Sequence, residues 1–360
     1  MAKLYGKDYT RAELLRHVGD ISQIARAKPH RLVDGHEDGV LAVDVVTGSG
    51  FNFTVLPSRG MDISSAHYHG RSLAWRSATF DQHPAFFEAD GRGWLRGFYG
   101  GLVLTCGLTW MGADCVDERQ ALGLHGRVSN LPATNVHWDG RWDGDDYILS
   151  VSGKLRESIV FGENIQLTRS IWARMGENRL YIEDEVENMG YQTSPHMILY
   201  HINIGFPALD DNARLISPTI RATPRDAEAE EAKERFAQFQ PPTRDYKEKA
   251  YFHDMKPAPD GKVTTAIVNP DIDGGFGVYV TYDKNELPYF CEWKMMDQGT
   301  YVVGMEPANA LVMGRAKERE LGRLQSLDPG EIRKYTLEIG VVAGGDQVSE
   351  IEAASRIASS

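Results

Sequence analysis

From about residue 39 onward, apolar residues come in short runs instead of recurring at helical spacing. VLAVDVVT, FNFTVLP, YILSVSGKL, IQLTRSIWA and RLYIEDEVEN are rich in β-branched and aromatic residues, and Gly, Asp or Asn punctuates them. HMILYHINI, GFGVYVTYD, YFCEWKMM, TYVVGMEP and YTLEIGVV continue the theme. In RLYIEDEVEN, Leu180, Ile182 and Val186 share one parity, Glu183, Glu185 and Glu187 share the other, and Asp184 interrupts the apolar row. That is the pattern of an antiparallel strand with one face buried and one solvated. Strand signals return roughly every ten to fifteen residues with no long helix between them, which predicts a sandwich over βαβ units. No fixed repeat period is visible, which argues against a propeller or solenoid.

Two segments depart from this pattern. Over residues 8–28, Leu14, Leu15, Val18, Ile21 and Ile24 fall at helical spacing, with Thr10 as N-cap and Glu13 three residues on, so a short helix is expected. Residues 224–249 are charge-dense, with a helical stretch from about Asp226 to Phe239 that Pro241 and Pro242 end. This segment reads as a solvated excursion between strands in preference to a lid. The expected organisation is an N-terminal helical extension (1–34), one β-sandwich domain (35–345) carrying the 224–249 insertion, and a C-terminal tail (346–360).

The chain has 360 residues, 42% hydrophobic and 25% charged, enough apolar material for a large core. A net charge of −12 with no basic run disfavours nucleic acid as a partner and favours a well-solvated surface. The three cysteines, Cys106, Cys115 and Cys291, form no CxxC pair, so neither a disulfide framework nor a thiolate zinc site is expected. The first twenty residues contain no apolar core segment and do not read as a signal peptide. No apolar run reaches the roughly 18 residues of a membrane span, so a cytoplasmic protein without a membrane partner is the expectation.

Four segments hold residues that a plain strand does not need. In PSRGMDI, Arg59 at a strand end is placed to bind sugar hydroxyls or, equally, to pair with Asp62. In GLHGRVSN, within a glycine-rich stretch read as a long loop, His125 is followed by Arg127 and Asn130, and Gly123 and Gly126 would let backbone approach a ligand. In YHINIGFP, His201 and Asn203 share one face of an apolar strand, where they either pair within the core or face a cleft. In GMEPAN, Glu306 ends an apolar strand, followed by Asn309; desolvation there would raise its pKa as general acid–base work requires. Arg315 opens a charged stretch that reads most simply as solvated, with substrate contact as the alternative. Trp75, Trp110 and Trp293 could stack on a sugar, although large aromatics are more often core.

Together these four motifs resemble the aldose 1-epimerase (galactose mutarotase-like) superfamily, in its DUF4432-type group, over most of residues 35–345. The resemblance implies an all-β fold, the galactose mutarotase-like supersandwich of two large antiparallel sheets with a sugar cleft on one concave face. It implies His201 as general acid, Glu306 as general base, and His125 and Arg59 as hydroxyl-binding groups. The Asn-His string usual around the acid histidine is replaced here by Tyr200–His201, and Asp210 and Asp211 are candidates for the sugar-binding aspartate by nearness alone. Arg127, Asn203, Trp293, Lys294, Asn309 and Arg315 complete the expected substrate-binding set.

The expected function is therefore anomer interconversion of a small-molecule sugar by an aldose 1-epimerase-like isomerase, requiring no metal or organic cofactor. A related alternative is epimerisation, isomerisation or lysis of a keto-sugar, with His125, His201 and Glu306 as a two-His-one-carboxylate metal set. A third is a sugar-binding or sensing module without turnover. Exposed sheet edges in such folds invite a homodimer. No GxSxG or Cys–His motif supports a nucleophilic hydrolase.

Overall fold

The computed structural model describes residues 1–359. Each apolar run quoted above coincides with a strand, and RLYIEDEVEN does so end to end as Arg179–Asn188. An eight-stranded antiparallel sheet runs in the order Thr134–Asp143, Asp146–Ser158, Asn164–Arg174, Arg179–Asn188, Ile332–Ala343, Phe276–Asp283, Lys262–Asn269, Arg214–Ile216. A seven-stranded sheet runs Thr219–Pro224, Lys249–Met255, Tyr289–Asp297, Thr300–Ala308, Ser194–Ile204, Gln325–Leu327, with Leu104–Leu108 also pairing to Ser194–Ile204. The sequence reading missed a third, five-stranded sheet, which runs from Arg26–Arg31 to Arg71–Ser72.

The core fills the space between the two large sheets. Ile182, Val186 and Leu337 from one meet Tyr200, Ile202 and Met305 from the other, all buried. Each such aliphatic side chain contributes roughly 1.5–3 kcal/mol by leaving water. Asp184 lies in this apolar row because Arg169 receives it bidentately, at 2.9 and 2.7 Å, while the Tyr200 hydroxyl donates to it at 2.6 Å. Arg169 also donates to Asp62 at 2.9 Å, so Asp62 is the partner of Arg169 and not of Arg59. All three ionic side chains are fully buried, the condition under which such a cluster must be complete to be tolerated.

The helix expected over residues 8–28 shrinks to Arg11–Leu14. Its capping box is present, with Thr10 Oγ1 accepting from the Glu13 backbone and Glu13 accepting from the Thr10 backbone. Leu14 and Ile24 are buried but Leu15 is exposed, so no continuous apolar stripe exists to support a longer helix. The insertion is also less helical than expected: Asp226 caps only Ala227–Glu230, followed by a 3₁₀ turn at Lys233–Arg235. Residues set aside as a tail form the helix Gly345–Ser359, whose Val348 and Ile351 pack on Ile216, Ala266, Val268 and Val342. The glycine-rich stretch contains the strand Leu104–Leu108 and a hairpin of Cys115–Asp117 with Gln120–Leu122, so it is only partly loop. All three cysteines are free. Among the described residues no helix is long and apolar enough to cross a membrane.

Candidate active site

Strand parity builds the site. In Ser194–Ile204, Ile198, Tyr200 and Ile202 point into the core between the sheets, which turns His201 to the opposite face. In Thr300–Ala308, Val303 and Met305 face that core and Glu306 faces away; in Tyr289–Asp297, Phe290 and Met296 face it and Cys291 and Trp293 face away. The three strands are adjacent, with Ile202 opposite Met305 and Cys291 opposite Glu306. His201, Glu306 and Cys291 thus converge on one outer face of the seven-stranded sheet, where they line a cavity of about 280 Å³. That size is at the small end for ligand pockets and suits one small molecule.

His201 Nε2 lies 3.1 Å from Glu306 Oε1, and both side chains are almost completely buried. Glu306 Oε1 nevertheless has no hydrogen-bond partner, because the imidazole is close but not aligned with it. His201 Nδ1, His125 Nδ1 and Asn203 Oδ1 are also buried and unpaired. Buried polar atoms are rarely left alone, and such a group around one cavity is what a polar ligand would satisfy. Burial pushes the Glu306 carboxyl up to about 8, with hydrogen bonding to the Cys291 thiol working in the opposite direction. Burial holds His201 down to about 3, reinforced by His125, and holds His125 down to about 4. Gly304 makes room for the pair: a Cβ there would stand 2.4 Å from Glu306 Oε1 and 3.1 Å from His201 Cε1.

Of the residues expected from the sequence, His125, His201, Trp293 and Glu306 line the cavity together. The others do not. Arg59 is fully buried, donates to the carbonyls of Ser129, Gln82 and Gly97 at 2.8, 2.6 and 2.9 Å, and does not line the cavity. Arg127 is exposed and lies over the Trp110 ring. Asn203 donates to the carbonyls of Gly101 and His201 and adjoins the site without lining it. Lys294 has the opposite parity to Trp293, and its ammonium is held by the carbonyls of Arg235, Phe236 and Gln238. Asn309 bridges the backbone of Ile198 and His196, and Arg315 pairs with Asp117 and Gln120. Asp210 and Asp211 lie outside the cavity, as do Trp75 and Trp110. Gly123 and Gly126 serve close backbone packing, since a Cβ on them would strike Ala89 O at 2.0 Å and Gly107 O at 2.4 Å.

The structure adds cavity residues that the sequence reading passed over: Trp94, Phe98, Cys291, Arg225 and Glu248. The last two come from the ends of the insertion, which therefore walls the cavity. Arg225 follows the strand Thr219–Pro224 and Glu248 precedes its antiparallel partner Lys249–Met255, so the pairing brings them together at 3.1 Å. Glu248 also accepts from Trp293 Nε1 at 2.9 Å, fixing the indole as a wall. A strand pair flanking a charged excursion was the available signal: both ends of such an insertion must return to one place. Among the described residues no three His, Cys, Asp or Glu side chains converge as a metal-ligating group, so His125, His201 and Glu306 do not form the metal set considered above.

Solved structures with the same architecture include a protein from Klebsiella pneumoniae subsp. pneumoniae MGH 78578 that carries the provisional name aldose 1-epimerase. It has a TM-score of 0.88 and 25% identity, covering 93% of this chain and 88% of that one. A galactose mutarotase-like protein from Clostridium acetobutylicum matches with a TM-score of 0.62 at 14% identity, over 89% of this chain and 99% of its own. A galactose 1-epimerase from Lactobacillus acidophilus NCFM matches with a TM-score of 0.57 at 11% identity, again over 89% and 99%. At these last two identities the likeness is one of fold. No curated protein matches the chain in sequence. Residues 37–341 match the family described as domain of unknown function DUF4432, and the chain belongs to that family, built on the galactose mutarotase-like fold.

Proposed function

We propose that this protein is an aldose 1-epimerase-type isomerase that interconverts the anomers of a monosaccharide by acid–base catalysis at Glu306 and His201. The observation that carries the reading is their 3.1 Å approach at a buried cavity wall, far from each other in sequence, with Glu306 Oε1 and His201 Nδ1 left without hydrogen-bond partners. Mutarotation requires a proton to leave the anomeric hydroxyl, O1, and a proton to reach the ring oxygen, O5. Both oxygens are bonded to C1, so two catalytic atoms this close can serve both.

The proton inventory also fits. Between the two pKa values the pair holds one transferable proton, on the carboxyl. Hydroxyls of a bound sugar donating to Glu306 favour the ionised carboxylate, with the proton moved to His201 Nε2. Glu306 then takes the O1 proton as the C1–O5 bond breaks, His201 delivers its proton to O5, and the C1 carbonyl forms. Rotation about C1–C2 and the reverse transfers close the ring on its other face and restore both groups. Each positioned transfer is worth on the order of 10²–10⁴-fold. His125, Glu248 and Arg225 supply donors and acceptors for the remaining hydroxyls, and Trp293, Trp94 and Phe98 supply apolar walls for C–H faces.

The test is a panel of free sugars followed by saturation-transfer NMR, which reports binding and anomer exchange together. Exchange by the wild-type chain that Glu306→Gln abolishes is the expected result. Binding without catalysed exchange for every sugar bound would instead make the cavity a sugar-sensing site.

A further inference from the structure

Thr134–Asp143 closes one end of the eight-stranded sheet, bonded to Asp146–Ser158 on one side and to no strand on the other. Most of its residues are exposed. Such an edge is a template for another strand unless it is short, covered or interrupted by proline. The other edges of the three larger sheets are managed in those ways. Arg214–Ile216, at the far end of the same sheet, is three residues long, and Leu215 N donates to Ala237 O at 3.0 Å. Gln325–Leu327 and Arg71–Ser72 are as short or shorter, while Thr219–Pro224 and Arg26–Arg31 carry Pro224 and Pro29. Thr134–Asp143 has ten residues, no proline and no bonded outer neighbour.

Charges on an edge normally repel an incoming strand. Here they are arranged to accept one particular strand. His137, Asp139, Arg141 and Asp143 share one face and make no hydrogen bond or ion pair within the chain. The ladder to Asp146–Ser158 is irregular before His137 and regular from His137 to Asp143, so Gly140 is the midpoint of the regular stretch. In an antiparallel ladder, residues with outward amides pair with each other, so a two-fold self-pairing must be centred on a residue. Centred on Gly140, it sets Asp139 opposite Arg141, His137 opposite Asp143 and Trp138 opposite Trp142, each pair occurring twice. Centred on Arg141, it sets Arg141 against itself and Asp139 against Asp143. Centred on Asp139, it sets that carboxylate against itself. Registers displaced further run off the regular stretch into the irregular start or the turn.

We infer that this edge is the docking surface for a second copy of the chain, paired antiparallel about Gly140 and joining the two eight-stranded sheets. Opposite charges directly across a strand pair stabilise it and like charges oppose it, so the register is selected by the side chains already on the strand. A seven-residue ladder is a small interface, which makes the dimer a reversible one. Its attraction is between exposed charges, so salt weakens it. The inference is independent of the acid–base reading, since the edge belongs to the eight-stranded sheet and His201 and Glu306 to the seven-stranded one.

The experiment is sedimentation velocity on the full chain over a concentration series, at low and high salt, with circular dichroism to check the fold. The wild type should move towards twice the chain mass as concentration rises, less so in high salt. Arg141→Asp and Asp139→Arg each turn two attractive pairs into repulsive ones and should weaken association at least about tenfold. Neither removes an ion pair from the monomer, because Asp139 and Arg141 stand opposite Ser150 and Ile148 in their own sheet. The double variant Asp139→Arg/Arg141→Asp restores the opposite-charge pairing and should restore the dimer. A wild type monomeric at every concentration overturns the inference and leaves the edge to a different partner. A dimer that survives both single reversals places the interface elsewhere. Single variants that dissociate without rescue in the double variant overturn the register about Gly140.

Discussion

Replacing Glu306 by Gln should abolish anomer exchange and at the same time stabilise the fold, by an amount that grows with pH. In the unfolded chain the Glu306 carboxyl ionises near its ordinary 4.5, whereas burial moves it to about 8 in the folded chain. Between those values unfolding releases a proton, so wild-type stability falls as pH rises. At pH 7 the separation between ambient pH and the unfolded value is 2.5 units, which at 1.36 kcal/mol each is a ceiling of about 3 kcal/mol. Water admitted to the cavity lowers the real figure. Gln has the same shape and nothing to ionise, so it escapes this cost at every pH. The assay is urea unfolding followed by tryptophan fluorescence for both chains at pH 5 and pH 8. Other titrating groups are common to the two and cancel in the difference. The gap in favour of Glu306→Gln should widen by up to about 3 kcal/mol between these pH values. A gap that stays constant, or widens in favour of the wild type, would refute both the raised pKa and the desolvation said to cause it.

Four further outcomes follow from the same geometry. Anomer exchange should decline above about pH 8, because the pair then loses its single proton and no acid remains; a wild-type profile flat to pH 10 would contradict this. Gly304→Ala should cut kcat at least tenfold with unchanged circular dichroism, since its methyl group occupies the space of the Glu306 carboxyl. Arg59→Ala should destabilise by at least about 3 kcal/mol by orphaning three buried carbonyls, without altering sugar affinity in the folded fraction; a raised Kd at unchanged stability would restore Arg59 to the binding site. Lys294→Met should likewise register as lost stability, measured by thermal unfolding, because it strips the donors from Arg235, Phe236 and Gln238.

Most of the large sheets could be read from alternation alone, because a half-buried strand writes its two faces in alternate letters. The exception has a physical reason that only the structure shows: Asp184, which interrupts the apolar row, is received there by Arg169. His201 and Glu306 were legible for the same reason, as polar residues in runs with no local use for them. Of the expected substrate-binding set only His125 and Trp293 line the cavity. Arg59, Lys294, Asn309 and Arg315 carry the right functional groups, but each is consumed by backbone carbonyls or an ion pair whose partner lies 23 to 198 residues away. Sequence displays the donor without displaying who receives it. Arg225 and Glu248 failed in the opposite sense, hidden in a charge-rich segment whose composition resembles solvated surface.

The two faces of the Ser194–Ile204 strand explain why a destabilising pair can be tolerated here. On the core side Tyr200 is bonded to Asp184, and through Arg169 to Asp62, in a cluster that spans both sheets with its charges paired. One residue later on the cavity side His201 faces Glu306 with both groups short of hydrogen-bond partners. The strand cannot slip by a residue to relieve the second face without breaking the first, because a one-residue shift exchanges all inward and outward side chains. Completing the core cluster therefore fixes the register that holds His201 and Glu306 in a desolvated position they would not adopt alone. A substitution such as Arg169→Met, which frees that register, acts on His201 and Glu306 only through the strand and registers first as lost stability of the fold.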